Sequence, residues 1–182
     1  MELAEREIKL KNGDSCSIRN LKASDAAMAL VYLKTVMGET PFMTREPEEV
    51  TLSLEEEAAF LEKRRTSLDG VQLGAFWNDE LVGIASVERA TKMRRGCHRG
   101  TYAIGLKEKA WGLGMGTQLS QILFSLMPQL SISQLELGVM APNKRAISLY
   151  EKLGFRPYGT LPNASRLKNG EVLDEILMYL TL

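Results

Sequence analysis

The sequence has little of what metal, disulfide or nucleic-acid chemistry requires. Its 182 residues include one histidine and two cysteines. The spacing of Cys16 and Cys97 fits neither a zinc motif nor a disulfide framework. The expectation is therefore reduced thiols, no metal and a cytoplasmic setting. Lys plus Arg number 23 and Asp plus Glu number 23, so the formal net charge is zero. A balanced chain sets up no field that draws in nucleic acid. The local exception is Lys92, Arg94, Arg95, His98 and Arg99, which reads first as a solvated loop and second as a site for anionic phosphates. No stretch approaches the roughly 20 apolar residues of a membrane span. The start, MELAEREIKL, lacks the apolar core of a signal peptide. Linkers, low-complexity tracts and internal repeats are missing too. With 45% hydrophobic residues, the chain is long enough for one core and too short for two ordinary domains. A single domain over residues 1–182 is expected.

What is present alternates between strand and helix patterns. Runs at Glu7–Leu10 and Ser15–Leu21 flank Asn12-Gly13-Asp14, whose residue types suit a hairpin turn. Ser24 is placed to cap a helix through Lys34. Ser53 and Glu56 form a capping box at the start of a second helix. Val71–Trp77 and Leu81–Glu88 read as a hairpin around Asn78-Asp79-Glu80. A strand follows at Thr101–Leu106, then a glycine-rich turn. The next helix has Leu119, Ile122, Leu123, Leu126 and Met127 on its buried face and ends near Pro128. Gln134–Val139 alternates as a strand does. Asn143 caps a last helix that Gly154 closes with a left-handed residue. Phe155–Gly159 and Glu175–Leu180 complete the pattern. The fold class is α/β (α+β), a mixed sheet with helices.

The segment Trp111-Gly112-Leu113-Gly114-Met115-Gly116-Thr117 lies between a strand and a helix start. Glycines there let the backbone approach a ligand, and several N–H groups can point at one anion beside the positive helix end. A phosphate or pyrophosphate is the matching ligand. A turn that needs glycine only for its geometry is the alternative. A Walker loop is disfavoured because Gly116 is followed by Thr117 with no lysine. A dinucleotide fingerprint is disfavoured because the glycines run Gly-x-Gly-x-Gly and come late in the chain.

The loop resembles motif A of the GNAT superfamily of N-acetyltransferases, Gln/Arg-x-x-Gly-x-Gly/Ala. Gly114 and Gly116 match its glycines, and Trp111 stands where Gln or Arg is usual. The stretch Leu135-Glu136-Leu137-Gly138-Val139, then Asn143, Ala146 and Leu149-Tyr150-Glu151-Lys152-Leu153-Gly154-Phe155, resembles motif B. The resemblance runs from Arg19-Asn20-Leu21 to the Asp174–Leu180 strand. It implies a mostly antiparallel sheet with two central splayed parallel strands and about four helices. It implies acetyl-CoA as co-substrate, entering between Thr101–Leu106 and Gln134–Val139.

Under that resemblance Ile104 and Leu106 would pair with the pantetheine amides, with Ile104 N–H a candidate to stabilise the carbonyl oxygen. Gly112, Leu113, Gly114, Met115, Gly116 and Thr117, with Trp111, would hold the pyrophosphate. Asn143 and Ala146 would border the CoA arm. Tyr150 would donate a proton to the departing thiolate, or else serve as an amphipathic core residue. Glu39, Glu88 and His98 are candidates for the base, each with a plain surface role as its alternative. Cys97 beside His98 is discounted as a nucleophilic pair because adjacent strand residues point to opposite faces. The C-terminal stretch through Asp174-Glu175 resembles the branch holding polyamine and ribosomal-protein acetyltransferases. The acceptor is expected to be a small-molecule amine or a protein N-terminus. A non-catalytic acyl-CoA-binding module is the alternative function. The resemblance also implies that the last strand, Glu175–Leu180, can pair across a homodimer, as in some family members.

Overall fold

The computed structural model describes residues 2–182. A hairpin of β1 (Arg6–Lys9) and β2 (Ser15–Asn20) leads into α1 (Ala26–Glu39) and α2 (Leu54–Thr66). A meander follows, β3 (Gly70–Trp77), β4 (Glu80–Arg89) and β5 (Arg99–Leu106). Then come α3 (Met115–Phe124), β6 (Gln134–Met140), α4 (Lys144–Lys152), β7 (Arg156–Arg166) and β8 (Val172–Thr181). The strands form one eight-stranded sheet in the order β1-β2-β3-β4-β5-β6-β8-β7. All neighbours are antiparallel except β5 and β6.

Helices cover both faces. α1 and α2 bury Tyr32, Val36 and Leu61 against Leu21, Phe76 and Leu81. On the other face Met115, Leu119 and Leu123 of α3 and Tyr150 of α4 pack on Leu135, Leu137 and Val139 of β6. The alternation along each strand thus sends odd residues of β6 toward α3 and α4, and even residues toward α1 and α2.

The local signals hold where a few neighbouring residues decide the geometry. Ser53 Oγ accepts the Glu56 N–H at 3.2 Å while the Glu56 carboxylate accepts the Ser53 N–H at 2.8 Å. Asn78 and Asp79 both take positive φ, the turn that matches strand twist. Asn143 Oδ1 accepts the Ala146 N–H at 3.1 Å, and Gly154 ends α4 at φ +96.

The last strand has no open edge for pairing across a dimer, because β8 lies between β6 and β7. Further expectations are corrected as well. Ser24 caps nothing: Ala23–Asp25 forms a 3₁₀ turn and α1 starts at Ala26. Asp25 organises this entry. Its carboxylate accepts the Lys22 N–H at 2.8 Å and a two-pronged contact from Arg19 at 2.7 and 3.0 Å. The closing strands are longer than the sequence suggests, because Pro157 and Pro162 interrupt the alternation that marks a strand. β7 is an edge strand, where proline removes no needed hydrogen bond, and its irregularities at Pro157/Gly159 and Leu161/Ser165 absorb the rest.

Burial would raise the Asp25 carboxyl, but Arg19 and the Lys22 N–H hold it below its ordinary range. Arg19 also lies 3.8 Å over the Phe76 ring. Asp25→Asn is expected to cost about 3 kcal/mol at pH 7, since it strands a half-buried guanidinium. The lowered carboxyl stabilises the fold above its unfolded value of about 4, and that contribution fades as pH falls through the folded value. Urea denaturation of wild type and variant should therefore begin to converge below about pH 4 and coincide only below the lowered folded value.

Candidate active site

β5 and β6 are paired only at Arg99↔Gln134, Gly100↔Leu135 and Thr101↔Glu136. Beyond Thr101 the two strands carry no mutual pairing. The ladders on their outer sides fix what faces the gap. Ala90 N–H bonds to Arg99 O and Lys107 N–H to Val82 O, so odd-numbered residues of β5 exchange hydrogen bonds with β4. Tyr102, Ile104 and Leu106 therefore turn their N–H and C=O groups toward β6. The Ala141 N–H to Asp174 O and Leu182 N–H to Ser133 O bonds do the same for β6, leaving Gly138 and Met140 to face β5. The gap is a slot lined on both sides by backbone polar groups, which an extended amide chain can satisfy. The Leu106 carbonyl already accepts the Trp111 indole N–H at 2.9 Å.

The glycine loop sits at the open end of this slot. Gly112 and Gly114 adopt φ of +76 and +83, which L side chains rarely take. The N–H groups of Gly112 through Thr117 donate to no group among the described residues; the first bonded one is Gln118, to Gly114 O. Space above Gly112 is open. Gly116 lies within close contact distance of Leu106 and Leu149, so α3 approaches β5 and α4 tightly. Thr117 lies in the first turn of α3, Leu113 packs on the core, and Met115 is fully buried.

Two cations border the loop that the sequence reading did not single out. Lys11, at the β1–β2 turn, comes close to Gly114, and its N–H bonds to Leu113 O at 3.1 Å. Arg145 stacks over the Trp111 ring at 4.2 Å. Arg145 follows the Asn143 cap closely and was within reach of the motif. Lys11 arrives only through folding of the distant hairpin.

Tyr150 and Ala146 lie on the α4 face. Tyr150 is 7% exposed, and its hydroxyl has no hydrogen-bond partner among the described residues. Its ring stands edge-on to Tyr102 at 6.1 Å and to Phe155 at 5.9 Å. Tyr102 is the first β5 residue after pairing with β6 ends, so Tyr150 is placed at the apex of the gap. Burial pushes the Tyr150 phenol up to about 12.

The carboxylates named from sequence are dispersed. Glu39 ends α1, and its carboxylate accepts the Glu108 N–H at 2.7 Å, at the outer end of β5. Glu88 lies opposite Thr101 at the apex end and pairs with Arg64 at 3.0 Å. His98 is exposed in the turn before β5, with its carbonyl bonded to the Ser133 and Gln134 N–H groups. Cys97 lies in that same turn rather than in a strand, its thiol donating to Arg94 O at 3.3 Å. Of the basic residues nearby, Lys92 pairs with Asp69 and Arg99 with Glu136. Among the described residues no cluster of His, Cys, Asp and Glu could hold a metal, and no helix is long and apolar enough to cross a membrane.

A parallel pair opened beside a loop of unbonded backbone donors is the arrangement that the resemblance to the N-acetyltransferases implies. The model of the acetyltransferase (GNAT) family matches residues 35–155, more than half of the chain, and the chain belongs to that family. A GNAT-family acetyltransferase structure from Streptococcus pneumoniae superposes with a TM-score of 0.86 at 28% identity, covering 92% of this chain and 99% of that one. A ribosomal-protein-alanine N-acetyltransferase from Brucella melitensis gives 0.78 at 25% identity, covering 91% and 99%. A Salmonella typhimurium protein solved with its cofactor acetyl-CoA gives 0.78 at 21%, covering 92% and 94%, and shares the fold. A mycothiol acetyltransferase from Acidothermus cellulolyticus is 41% identical over 59 residues, 32% of this chain. The match spans 18% of that relative's length.

Proposed function

We propose that residues 1–182 act as one cytoplasmic acetyltransferase unit that moves an acetyl group from acetyl-CoA to a primary amine by direct attack. The observation that carries this reading is the slot between β5 and β6, with its gap-facing backbone groups and the unbonded N–H groups of Gly112 through Thr117 at its mouth. The slot's amide groups pair with the pantetheine arm, chiefly at Ile104 and Leu106. The loop N–H groups take the diphosphate, helped by the α3 dipole and by Lys11 and Arg145. Trp111 shapes the loop through its bond to Leu106 O. Asn143 and Ala146 border the arm from α4, while the Asn143 side chain is spent on its cap.

Tyr150 supplies the proton that the leaving sulfur needs. Its phenol, at about 12, is fully protonated at neutral pH. A thiol in water lies near 8.5, which would make this transfer uphill. Desolvation of the sulfur beside the buried Tyr150 would raise the thiol in turn and narrow that gap. Ile104 N–H, turned into the gap, is placed to bind the carbonyl oxygen as charge builds there. The acceptor is a small-molecule amine or a protein N-terminus, the latter in line with the B. melitensis relative named for acetylating ribosomal-protein alanine.

Thiol release from acetyl-CoA, measured with spermidine and with a short peptide bearing a free N-terminal alanine, tests this reading. Amine-dependent release is expected. A protein that binds acetyl-CoA and releases no thiol with any amine would instead be an acyl-CoA-binding module.

A further inference from the structure

Building on the acetyl-transfer reading above, we propose that Glu175 of β8 is the general base that takes the proton from the attacking amine. Glu39, Glu88 and His98 are the candidates from sequence for that role, and Glu175 is a further one that only the folded sheet reveals.

Even residues of β6 point toward α1 and α2, the face opposite Tyr150. β8 pairs Glu175 with Met140, Leu177 with Gly138 and Tyr179 with Glu136, so these six side-chain positions share that face. Gly138 has no side chain to present. The Glu175 carboxylate occupies the vacated space, and a Cβ at Gly138 would collide with it. Gly138 is the second β6 residue beyond the last pairing with β5, and its own N–H and C=O face the gap. Glu175 is thereby brought over the edge of the slot just past its apex, on the side away from Tyr150. An acid and a base on either side of the slot suit this reaction, because the amine and the sulfur occupy separate positions on the tetrahedral carbon.

Partnering separates Glu175 from its neighbours. Glu88 is tied to Arg64, and Glu136 to Arg99 and Gln134. Glu39 is tied to a backbone N–H beyond the slot. The Glu175 carboxylate accepts no hydrogen bond and meets no cation among the described residues. Other polar groups on this face include Thr101 of β5, Arg156 of β7, Tyr179, the Tyr32 hydroxyl of α1 over Gly105, and Lys168 at the β7–β8 tip, which pairs with Glu46 and Glu48. A free carboxylate beside the apex is available to accept a proton.

The balance is simple. The neutral amine nitrogen bonds to the carbonyl carbon as the carbon–sulfur bond breaks. The nitrogen's proton passes to Glu175 and the Tyr150 proton to sulfur. Glu175 then releases its proton to water, and the Tyr150 phenolate regains one.

Two variants test this with acetyl-CoA and the probes spermidine and the alanyl peptide. Glu175→Gln keeps size and strand pairing. It is expected to lower kcat about 100-fold while the KM for acetyl-CoA and the acetyl-CoA-induced thermal shift stay at wild-type values. Gly138→Ala leaves Glu175 in place but pushes its flexible carboxylate aside, and should lower kcat about 10-fold with the same unchanged shift. It also guards against a Glu175→Gln protein that fails to fold. Wild-type kcat in Glu175→Gln would overturn the assignment and leave the acetyl-transfer reading intact. No amine-dependent thiol release by the wild type would remove both, and a wild type with no acetyl-CoA shift would remove the slot as well.

Discussion

Tyr150→Phe is expected to lower kcat about 1,000-fold with little change in acetyl-CoA affinity. The substitution removes one oxygen from a side chain whose ring contacts with Tyr102 and Phe155 remain. The hydroxyl has no hydrogen-bond partner among the described residues, so its loss strands no donor or acceptor of the protein. Folding stability should change by less than about 1 kcal/mol. A purely structural Tyr150 would show the converse, a change in urea midpoint and an intact kcat. The pH profile gives a further check. Burial holds the phenol near 12, so loss of its proton should produce no alkaline fall in kcat below about pH 10.

The second large effect concerns the loop. Gly112→Asp should weaken acetyl-CoA binding about 1,000-fold, and Gly112→Asn far less. Both residues tolerate positive φ better than other side chains, so the loop at φ +76 should keep its shape in each. A Cβ there meets no protein atom within 4 Å, so the loop has room for either side chain. The two variants differ in one charge. A carboxylate about 4 Å from a phosphate costs about 4 kcal/mol at an effective dielectric of 20, equivalent to about three powers of ten in Kd. Titration of each variant with acetyl-CoA, followed by calorimetry, checks the contrast. Equal affinities for Asp and Asn would place the diphosphate elsewhere.

The fold was legible where the information is local or repeated. Asn78 and Asp79, the Ser53–Glu56 box and the Asn143–Gly154 helix are each determined within a few residues, and alternation at Gln134–Val139 recurs over a whole strand. Ser24 misled because the competing residue, Asp25, is held by Arg19 across a tertiary contact that no local pattern reveals. β7 was cut short by Pro157 and Pro162, whose cost depends on the strand lying at a sheet edge. The glycine loop could be recognised because several glycines in one turn carry their own chemistry. The Glu175 position could not, since it depends on a side chain missing from Gly138 on the neighbouring strand. Lys11 was hidden for the same kind of reason: it meets the loop only after the first hairpin folds onto it.

The central claim is that the slot between β5 and β6 and the loop at its mouth receive acetyl-CoA. Thermal unfolding with acetyl-CoA, ATP or NAD tests it most directly. At about 100 times its Kd, acetyl-CoA should add roughly 2.7 kcal/mol of stability, with no comparable shift from ATP or NAD. No shift with millimolar acetyl-CoA, or an equal shift with all three, would contradict the account.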